Sequence, residues 1–169
     1  MTRSNAREVA VHMIYELGFG SRSAEELLEH EMTRERFAQL GEEEPLYAQF
    51  PNEKQRQYIR DLVQGVYVHG PELDDYISRY SVGWSFARIP RMAAAIMRTA
   101  MYEVLYVPDV PNAAAINEAV EIAKNYEPAE VVSFINGILG SFVRAEFADS
   151  APKPEKKEEE AAGPEEPEE

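Results

Sequence analysis

The chain has 169 residues and a formal net charge of −14, and it contains no cysteine. The lack of cysteine excludes a disulfide scaffold, a thiolate metal site and a catalytic thiol. Because an acidic chain repels nucleic acid at long range, any RNA site must be a local basic patch or must be completed by a basic partner. No apolar run approaches the roughly 18 residues of a membrane span, and no signal-peptide core follows the N-terminus, so we expect a cytoplasmic protein.

The N-terminal part of the chain predicts helices separated by glycine and proline. Apolar residues at helical spacing predict a first helix from Ser4 that stops at Gly18. Ser23 is a candidate N-cap for a single second helix that extends to Leu40. The segment GEEEPLYAQFP, with its two prolines, then predicts a surface loop before Asn52.

Five further helices follow from capping residues and from breaks in the apolar pattern. Asn52 and Gln55 have the spacing of a capping box, which predicts the start of a third helix. The others are a short fourth helix from Gly70, a fifth from about Arg88 to Tyr106, a sixth capped by Asn112 and a seventh after Pro128. We find no alternating strand pattern bounded by turn signals. The predicted fold class is therefore all-α, a compact bundle with short connections.

The C-terminal segment differs in composition from the rest of the chain. Residues 149–169 contain nine acidic residues and three lysines, several prolines, and no large apolar residue. Such a segment cannot bury enough apolar surface to offset the entropy lost on ordering. We therefore predict a helical domain in residues 1–148 and a disordered acidic tail in residues 149–169. The tail is either a solubilising segment or a docking segment for a basic partner.

The motifs of common enzyme and cofactor sites are missing from the sequence. The three histidines are far apart, and no pair has metal-ligand spacing on one helix. The sequence has no P-loop and no dinucleotide fingerprint, so we expect no metal, no cofactor and no catalytic residue. The glycines of NGILG, Gly137 and Gly140, lie inside the seventh predicted helix. We expect them to permit close helix packing and not phosphate binding.

Three stretches of the sequence resemble the NusB family of transcription antitermination factors. They are AREVAVHMIYE at residues 6–16, WSFARIPRMAAAIMRTAMYEVLY at residues 84–106, and VPNAAAINEAVEIAKNY followed by FINGILG. The third is the most specific, because it closely resembles the family pattern VP…INEAVELAK…FVNG. Together the three stretches cover most of residues 6–147, and the acidic tail lies outside the resemblance.

The resemblance implies a fold and a function. The family fold has seven helices in two sub-bundles, which equals the number of helices predicted here. Family members bind the boxA element of RNA together with NusE, a ribosomal small-subunit protein. The resulting transcription antitermination complex supports processive transcription, particularly of ribosomal RNA operons. The resemblance thus implies a binding protein and not an enzyme.

The resemblance also assigns RNA contacts to an arginine-containing N-terminal stretch. Arg3 and Arg7 are the matching positions here, and Ser4 lies between them as a further donor to phosphate. The two arginines are four residues apart, so they share one helix face near the positive end of the helix dipole. The same spacing is compatible with a merely solvated face. The family often has more arginines here, so we expect a basic partner to complete the RNA site.

A second set of candidates lies at the start of the seventh predicted helix. Ser133 and Phe134 match family positions near the RNA, where Phe134 is expected either to stack on a base or to belong to the core. Glu130 matches an acidic position that faces the partner protein. Glu118, in the INEA motif, is expected to be structural and to pair with Arg98 inside the bundle.

The sequence leaves two alternative functions open. A NusB-like domain also occurs fused to RNA cytosine methyltransferases, but this chain has no glycine-rich methyl-donor site. The chain could also be a helical regulator that only oligomerises, for example as a homodimer through the RNA face. Light scattering with and without boxA RNA distinguishes this second alternative from an antitermination factor.

Overall fold

The computed structural model of the chain describes residues 1–148, and in that range its regular structure is entirely helical. The eight α-helices of the described range are α1 (Arg3–Leu17), α2 (Ala24–Glu31), α3 (Arg34–Gly41), α4 (Glu53–Val68), α5 (Gly70–Tyr80), α6 (Arg91–Tyr106), α7 (Asn112–Lys124) and α8 (Ala129–Glu146). Two single-turn 3₁₀ helices, Pro45–Tyr47 and Phe86–Arg88, lie in the connections before α4 and α6. The predicted all-α class is confirmed. The predicted disordered tail, residues 149–169, lies outside the described residues.

The structure has one α-helix more than predicted, because the second predicted helix is divided in two. Helix α2 ends at Glu31, and the hydroxyl of Thr33 accepts a hydrogen bond from the backbone amide of Arg36 at 3.1 Å. Thr33 is thus the N-cap of a new helix, α3, and the prediction of one continuous helix to Leu40 is wrong. A threonine side chain that satisfies a free amide can end one helix turn and begin the next.

Other predicted helix boundaries agree with the structure, with two exceptions. The Asn52 side chain accepts from the amide of Gln55 at 2.9 Å, and the Gln55 side chain accepts from the amide of Asn52 at 3.0 Å, which confirms the capping box. The sixth predicted helix begins at Asn112 as α7, but its N-cap is Pro111 and no side chain caps it, so the prediction that Asn112 is the cap is wrong. The other exception is the fifth predicted helix. Residues Phe86–Arg88 form a separate 3₁₀ turn, so α6 begins at Arg91, after Pro90.

Helix α6 lies at the centre of the bundle. Ten of its 16 residues are buried, as expected for a helix that is covered on most sides. It packs against five other helices, namely α1, α4, α5, α7 and α8. Helix α6 therefore joins the N-terminal group of helices to the C-terminal group, in agreement with two sub-bundles that share one core.

Close helix packing occurs at a glycine that the sequence did not single out. A Cβ atom added to Gly65 on α4 would overlap the ring of Tyr102 on α6. A Cβ atom on Gly137 would meet nothing, and one on Gly140 would meet only the side chain of Arg144 in the same helix. The prediction that Gly137 and Gly140 permit helix packing is therefore wrong, because both lie on a side of α8 that no other helix covers.

Candidate functional site

The side chain of Arg7 lies inside the helical bundle. Only 2% of it is exposed, and its Nε and Nη2 donate to the two carboxylate oxygens of Glu103 at 2.7 and 3.2 Å. The Tyr58 hydroxyl donates to the same carboxylate at 2.9 Å. Arg7 therefore belongs to the interface between α1, α4 and α6. This corrects its predicted position on an RNA-facing surface shared with Arg3.

The charges of this buried cluster are mutually stabilised. Burial alone would lower the pKa of the Arg7 guanidinium, but the charges and hydrogen bond of the surrounding groups, led by Glu103, raise it above its ordinary value. Burial, followed by the charge of Glu103, raises the pKa of the Tyr58 hydroxyl. Both groups therefore remain hydrogen-bond donors at neutral pH. The Glu103 carboxylate thus receives bonds from two other helices, which fixes the position of α1.

Glu118 connects this interior cluster with the surface. Its Oε2 lies 3.2 Å from Nη1 of Arg7, and its Oε1 accepts a hydrogen bond from the Ser4 hydroxyl at 3.1 Å. Arg98 instead donates to Asp74 on α5 at 2.6 Å. The prediction of a buried pair between Arg98 and Glu118 is therefore wrong, because the cation facing Glu118 comes from α1. The Glu118 side chain is 23% exposed, so Ser4 and Glu118 lie at the edge of the bundle.

Arg3 lies at the start of α1 and is half-buried. Its guanidinium carbon is 4.6 Å from the centroid of the Tyr58 ring, a distance typical of a cation–π contact. Within residues 1–148, its buried Nε has no hydrogen-bond acceptor. The hydroxyl of Thr2 caps the helix by accepting from the amide of Asn5. Arg3 is therefore a cation held next to the positive end of the α1 dipole.

The other predicted residues lie in the first two turns of α8. Glu130 and Ser133 are exposed, and Phe134 is partly buried. The Phe134 ring packs against Trp84, with 4.7 Å between the ring centroids and 31° between the ring planes. Trp84 belongs to the connection between α5 and α6, so this contact attaches that connection to α8.

A cleft of about 520 Å³ separates α7 from α8 next to these residues. Its walls combine apolar side chains with amide, hydroxyl and charged groups: Asn117, Val120, Glu121, Lys124, Glu127, Ala129, Val132, Ser133 and Asn136. The Lys124 amine lies 2.7 Å from a carboxylate oxygen of Glu121. The cleft therefore offers polar groups without an excess of positive charge.

Helix α7 links two of the predicted residues. The Ser4 hydroxyl bonds to Glu118, and the preceding residue, Asn117, lines the cleft together with Ser133. Ser4 and Ser133 thus lie on adjoining parts of the surface with the middle of α7 between them. Arg3 lies against α4 through its contact with Tyr58.

Sequence reasoning missed two residues of this region, Tyr58 and Glu103, and it missed the contact between Trp84 and Phe134. A signal existed for Glu103, because it lies three residues after Ala100 in the apolar stripe of α6. Arg7 likewise lies at helical spacing within the buried residues of α1. Opposite charges in two apolar stripes indicate a buried pair. No comparable signal identified Tyr58 or Trp84 as a contact of the predicted residues.

The described part of the chain offers neither a metal site nor a membrane-spanning helix. Residues 1–148 contain no group of three or more His, Asp or Glu side chains arranged to hold a metal ion. None of the helices described in this range is long and apolar enough to cross a membrane.

Comparison with known proteins identifies the family. The family model described as "NusB family" matches residues 4–144, from the first turn of α1 almost to the end of α8. The chain belongs to the NusB family. Transcription antitermination protein NusB of Acetivibrio thermocellus is 40% identical over 147 residues, covering 87% of this chain and 92% of that protein. The corresponding protein of Symbiobacterium thermophilum is 35% identical over 147 residues, covering 85% and 90%.

The fold agrees with that of NusB proteins. The structure of NusB from T. maritima has a TM-score of 0.71 and 26% sequence identity with this chain, and the match covers 85% of this chain and 92% of that one. The family predicted from the three sequence stretches is thus confirmed. Because the NusB relatives are named as transcription antitermination proteins, the prediction of a transcription factor and not an enzyme is also confirmed.

Proposed function

We propose that this NusB-family chain binds boxA-type RNA together with NusE, as part of a transcription antitermination complex. In this role it supports transcription of ribosomal RNA operons in the cytoplasm. The observation that carries the proposal is the start of α1, where Arg3 packs on the Tyr58 ring and Ser4 bonds to Glu118 beside the first helix amides. Amides and a cation at a helix N-terminus are suited to a phosphate group.

Arg7 acts in this proposal through the position of α1 and not by touching RNA. Its bonds to Glu103 anchor the first turns of the helix, and Glu118 links Arg7 to Ser4. The RNA-facing group at the N-terminus therefore consists of Arg3 and Ser4. One surface arginine supplies less electrostatic attraction than the two that the spacing implied, so the need for a basic partner becomes stronger.

The start of α8 supplies the second part of the proposed RNA surface. Ser133 can donate to a base or a phosphate, and Phe134 has an aromatic ring backed by Trp84. A ring held in place by a second ring loses little freedom when a base stacks on it. We therefore assign base stacking to Phe134, with Trp84 as its support.

The partner protein is proposed to bind through charge. Residues 149–169 contribute −6 to the net charge of −14, so residues 1–148 carry −8. Glu130 is exposed beside the cleft that contains Glu121 and Glu127. These carboxylates are suited to lysine and arginine side chains of a basic ribosomal protein. We expect a 1:1 complex with NusE that forms rapidly and weakens as salt increases.

The proposed RNA surface is tested by anisotropy of labelled boxA RNA in the presence of NusE. Because Arg3 is assigned to a phosphate, Arg3→Ala should weaken binding and reduce the salt slope by about 0.7. Arg144→Ala, in the last turn of α8, is the matched control and should leave both unchanged. If Arg3→Ala and the control behave alike, the RNA does not contact the start of α1.

Base stacking predicts a different response at α8. Phe134→Ala should weaken binding by about 1–3 kcal/mol with little change in salt slope, because no charge is lost. Trp84→Ala should have a smaller effect of the same kind. Circular dichroism melting checks that each variant folds. A folded Phe134→Ala variant with full RNA affinity would show that the ring is only part of the core.

A further inference from the structure

Three aromatic rings lie together at the C-terminal ends of α4 and α6. His69, which follows the last residue of α4, stacks on Tyr106 with 4.2 Å between the ring centroids and 28° between the ring planes. The centroid of the Tyr102 ring is 5.2 Å from that of Tyr106 and 6.0 Å from that of His69. The Tyr102 ring comes this close to α4 because it packs where Gly65 has no side chain.

This ring cluster is open to solvent on one side. Tyr106, the last residue of α6, is 41% exposed. Val68, the last residue of α4, directly precedes His69 and is 70% exposed. Exposed apolar groups that lie together, and not singly, are typical of interaction sites.

Two carboxylates lie beside the rings. The Tyr106 hydroxyl donates to Oε2 of Glu72 at 2.7 Å, and Nδ1 of His69 lies 3.0 Å from the same oxygen. The Glu72 side chain is 39% exposed, so it can accept further hydrogen bonds. Burial, followed by the charge of Asp61 on α4, raises the pKa of the Tyr102 hydroxyl, which places Asp61 near the rings. We define the ring patch as Val68, His69, Glu72, Tyr102 and Tyr106.

Within residues 1–148, no arginine or lysine covers the rings of this patch. Elsewhere in the same range an arginine lies over the ring of Phe19, Phe50, Tyr58, Tyr76 and Phe86. Arg98, one turn before Tyr102 on α6, instead donates to Asp74 on α5 at 2.6 Å. The patch therefore presents aromatic faces and a carboxylate to a cation that comes from outside this range.

We propose that the ring patch binds an arginine of a basic protein segment, with the guanidinium stacked on Tyr106 and paired with Glu72. A guanidinium is planar and weakly hydrated, so it can stack on a ring and bond to a carboxylate at the same time. Val68 offers an apolar contact to the neighbouring residue of such a segment. Single-stranded RNA also stacks on aromatic rings, but Glu72 and Asp61 repel its phosphates.

The ring patch is separate from the two surfaces assigned above to RNA and NusE. Tyr58, on which Arg3 packs, lies ten residues before Val68, or about 15 Å along α4. Helix α7 begins six residues after Tyr106 and is about 20 Å long, and Glu130 follows its far end. The inference therefore adds a further protein contact to the proposed function and does not depend on it.

The test is an NMR titration of the isotope-labelled full chain with a short peptide that alternates arginine and leucine. Site-resolved amide signals are needed because the acidic residues 149–169 also attract cationic peptides. The amide signals of Val68, His69 and Tyr106 should shift as the peptide is added. The same peptide with lysine in place of arginine should bind the patch more weakly, because an ammonium group does not stack in a planar arrangement.

Substitutions at Tyr106 and Glu72 separate the ring from the charge. Tyr106→Leu should weaken binding of the arginine peptide about 2–5-fold, as measured from the Val68 signal, because the cation–π contact is lost. Tyr106→Phe keeps the ring and should bind the peptide like the wild type. Glu72→Gln should weaken binding and reduce its dependence on salt. Circular dichroism melting checks that each variant folds.

Two control variants remove similar groups elsewhere. Tyr67 is 52% exposed and follows Gly65 by two residues, which places it on the opposite side of α4. Glu121 lines the cleft between α7 and α8 and is exposed. Tyr67→Ala and Glu121→Gln should leave the affinity measured at Val68 unchanged.

Three results would overturn the proposal. The first is an arginine peptide that leaves the Val68 and Tyr106 signals in place, and the second is equal affinity of folded Tyr106→Leu and Tyr106→Phe. The third is a polyuridine that shifts these signals at a lower concentration than the arginine peptide does, because the occupant would then be nucleic acid.

Discussion

Replacing Arg7 with alanine should strongly destabilise the fold. The substitution removes both guanidinium bonds to Glu103 and leaves that buried carboxylate with the Tyr58 hydroxyl as its remaining donor among the three residues. Breaking a buried pair in this way typically costs about 3–5 kcal/mol, because an uncompensated charge remains inside the protein. For a domain of this size, the melting temperature should fall by about 6–20 °C.

Urea unfolding followed by circular dichroism measures this loss of stability, and two further variants serve as controls. Lys124→Ala breaks the exposed pair with Glu121 and should cost about 1 kcal/mol or less. The double change Arg7→Met, Glu103→Leu removes both charges, and it should recover much of the stability lost in Arg7→Ala. A loss below about 1 kcal/mol for Arg7→Ala would refute the buried pair, since that is the range of an exposed pair.

Three further predictions concern pH, packing and the C-terminal segment. Burial lowers the pKa of His12 below its ordinary value of 6.5, so the unfolded chain binds the proton first and stability should fall as pH decreases below 6.5. Urea midpoints measured between pH 5 and 8 should fall less in His12→Gln than in the wild type. An identical fall in both proteins would contradict this prediction. Gly65→Ala should lower the free energy of unfolding by about 1–3 kcal/mol, because the added methyl group overlaps Tyr102. Gly137→Ala has open space around it and should raise the free energy of unfolding by about 0.5–1 kcal/mol. Equal shifts in the melting temperatures of the two variants would refute this difference. Deleting residues 149–169 should leave the melting temperature unchanged, because so polar a segment buries little; a large decrease would place the domain boundary elsewhere.

Helix boundaries could be predicted from the sequence where neighbouring residues determine them. The capping box at Asn52 and the break at Gly70 depend on neighbouring residues, and both occur as expected. The division at Thr33 was missed because the apolar spacing continues from Leu28 to Phe37 across it. A threonine is compatible with a helix interior, and only the orientation of its side chain makes it a cap.

The place of Arg7 in the apolar stripe of α1 indicates burial, but local spacing could not identify the groups that surround it. Its separation of four residues from Arg3 correctly indicates similar directions on α1, but burial depends on what packs against each turn. The partner that makes an interior arginine stable, Glu103, is 96 residues away. Phe134 presents the same difficulty, because its contact with Trp84 joins α8 to a distant connection. Local patterns thus identified the region of the site, while tertiary contacts decide which side chains reach the surface.

The central claim, joint binding of boxA RNA with NusE, is tested most directly by one titration. Labelled boxA RNA is titrated with the full chain, with and without saturating NusE, and a scrambled RNA of equal composition is titrated in parallel. We expect weak binding by this acidic chain alone, a marked gain when NusE is present, and a preference for boxA over the scrambled RNA. Equal affinities with and without NusE, and for both RNAs, would contradict it.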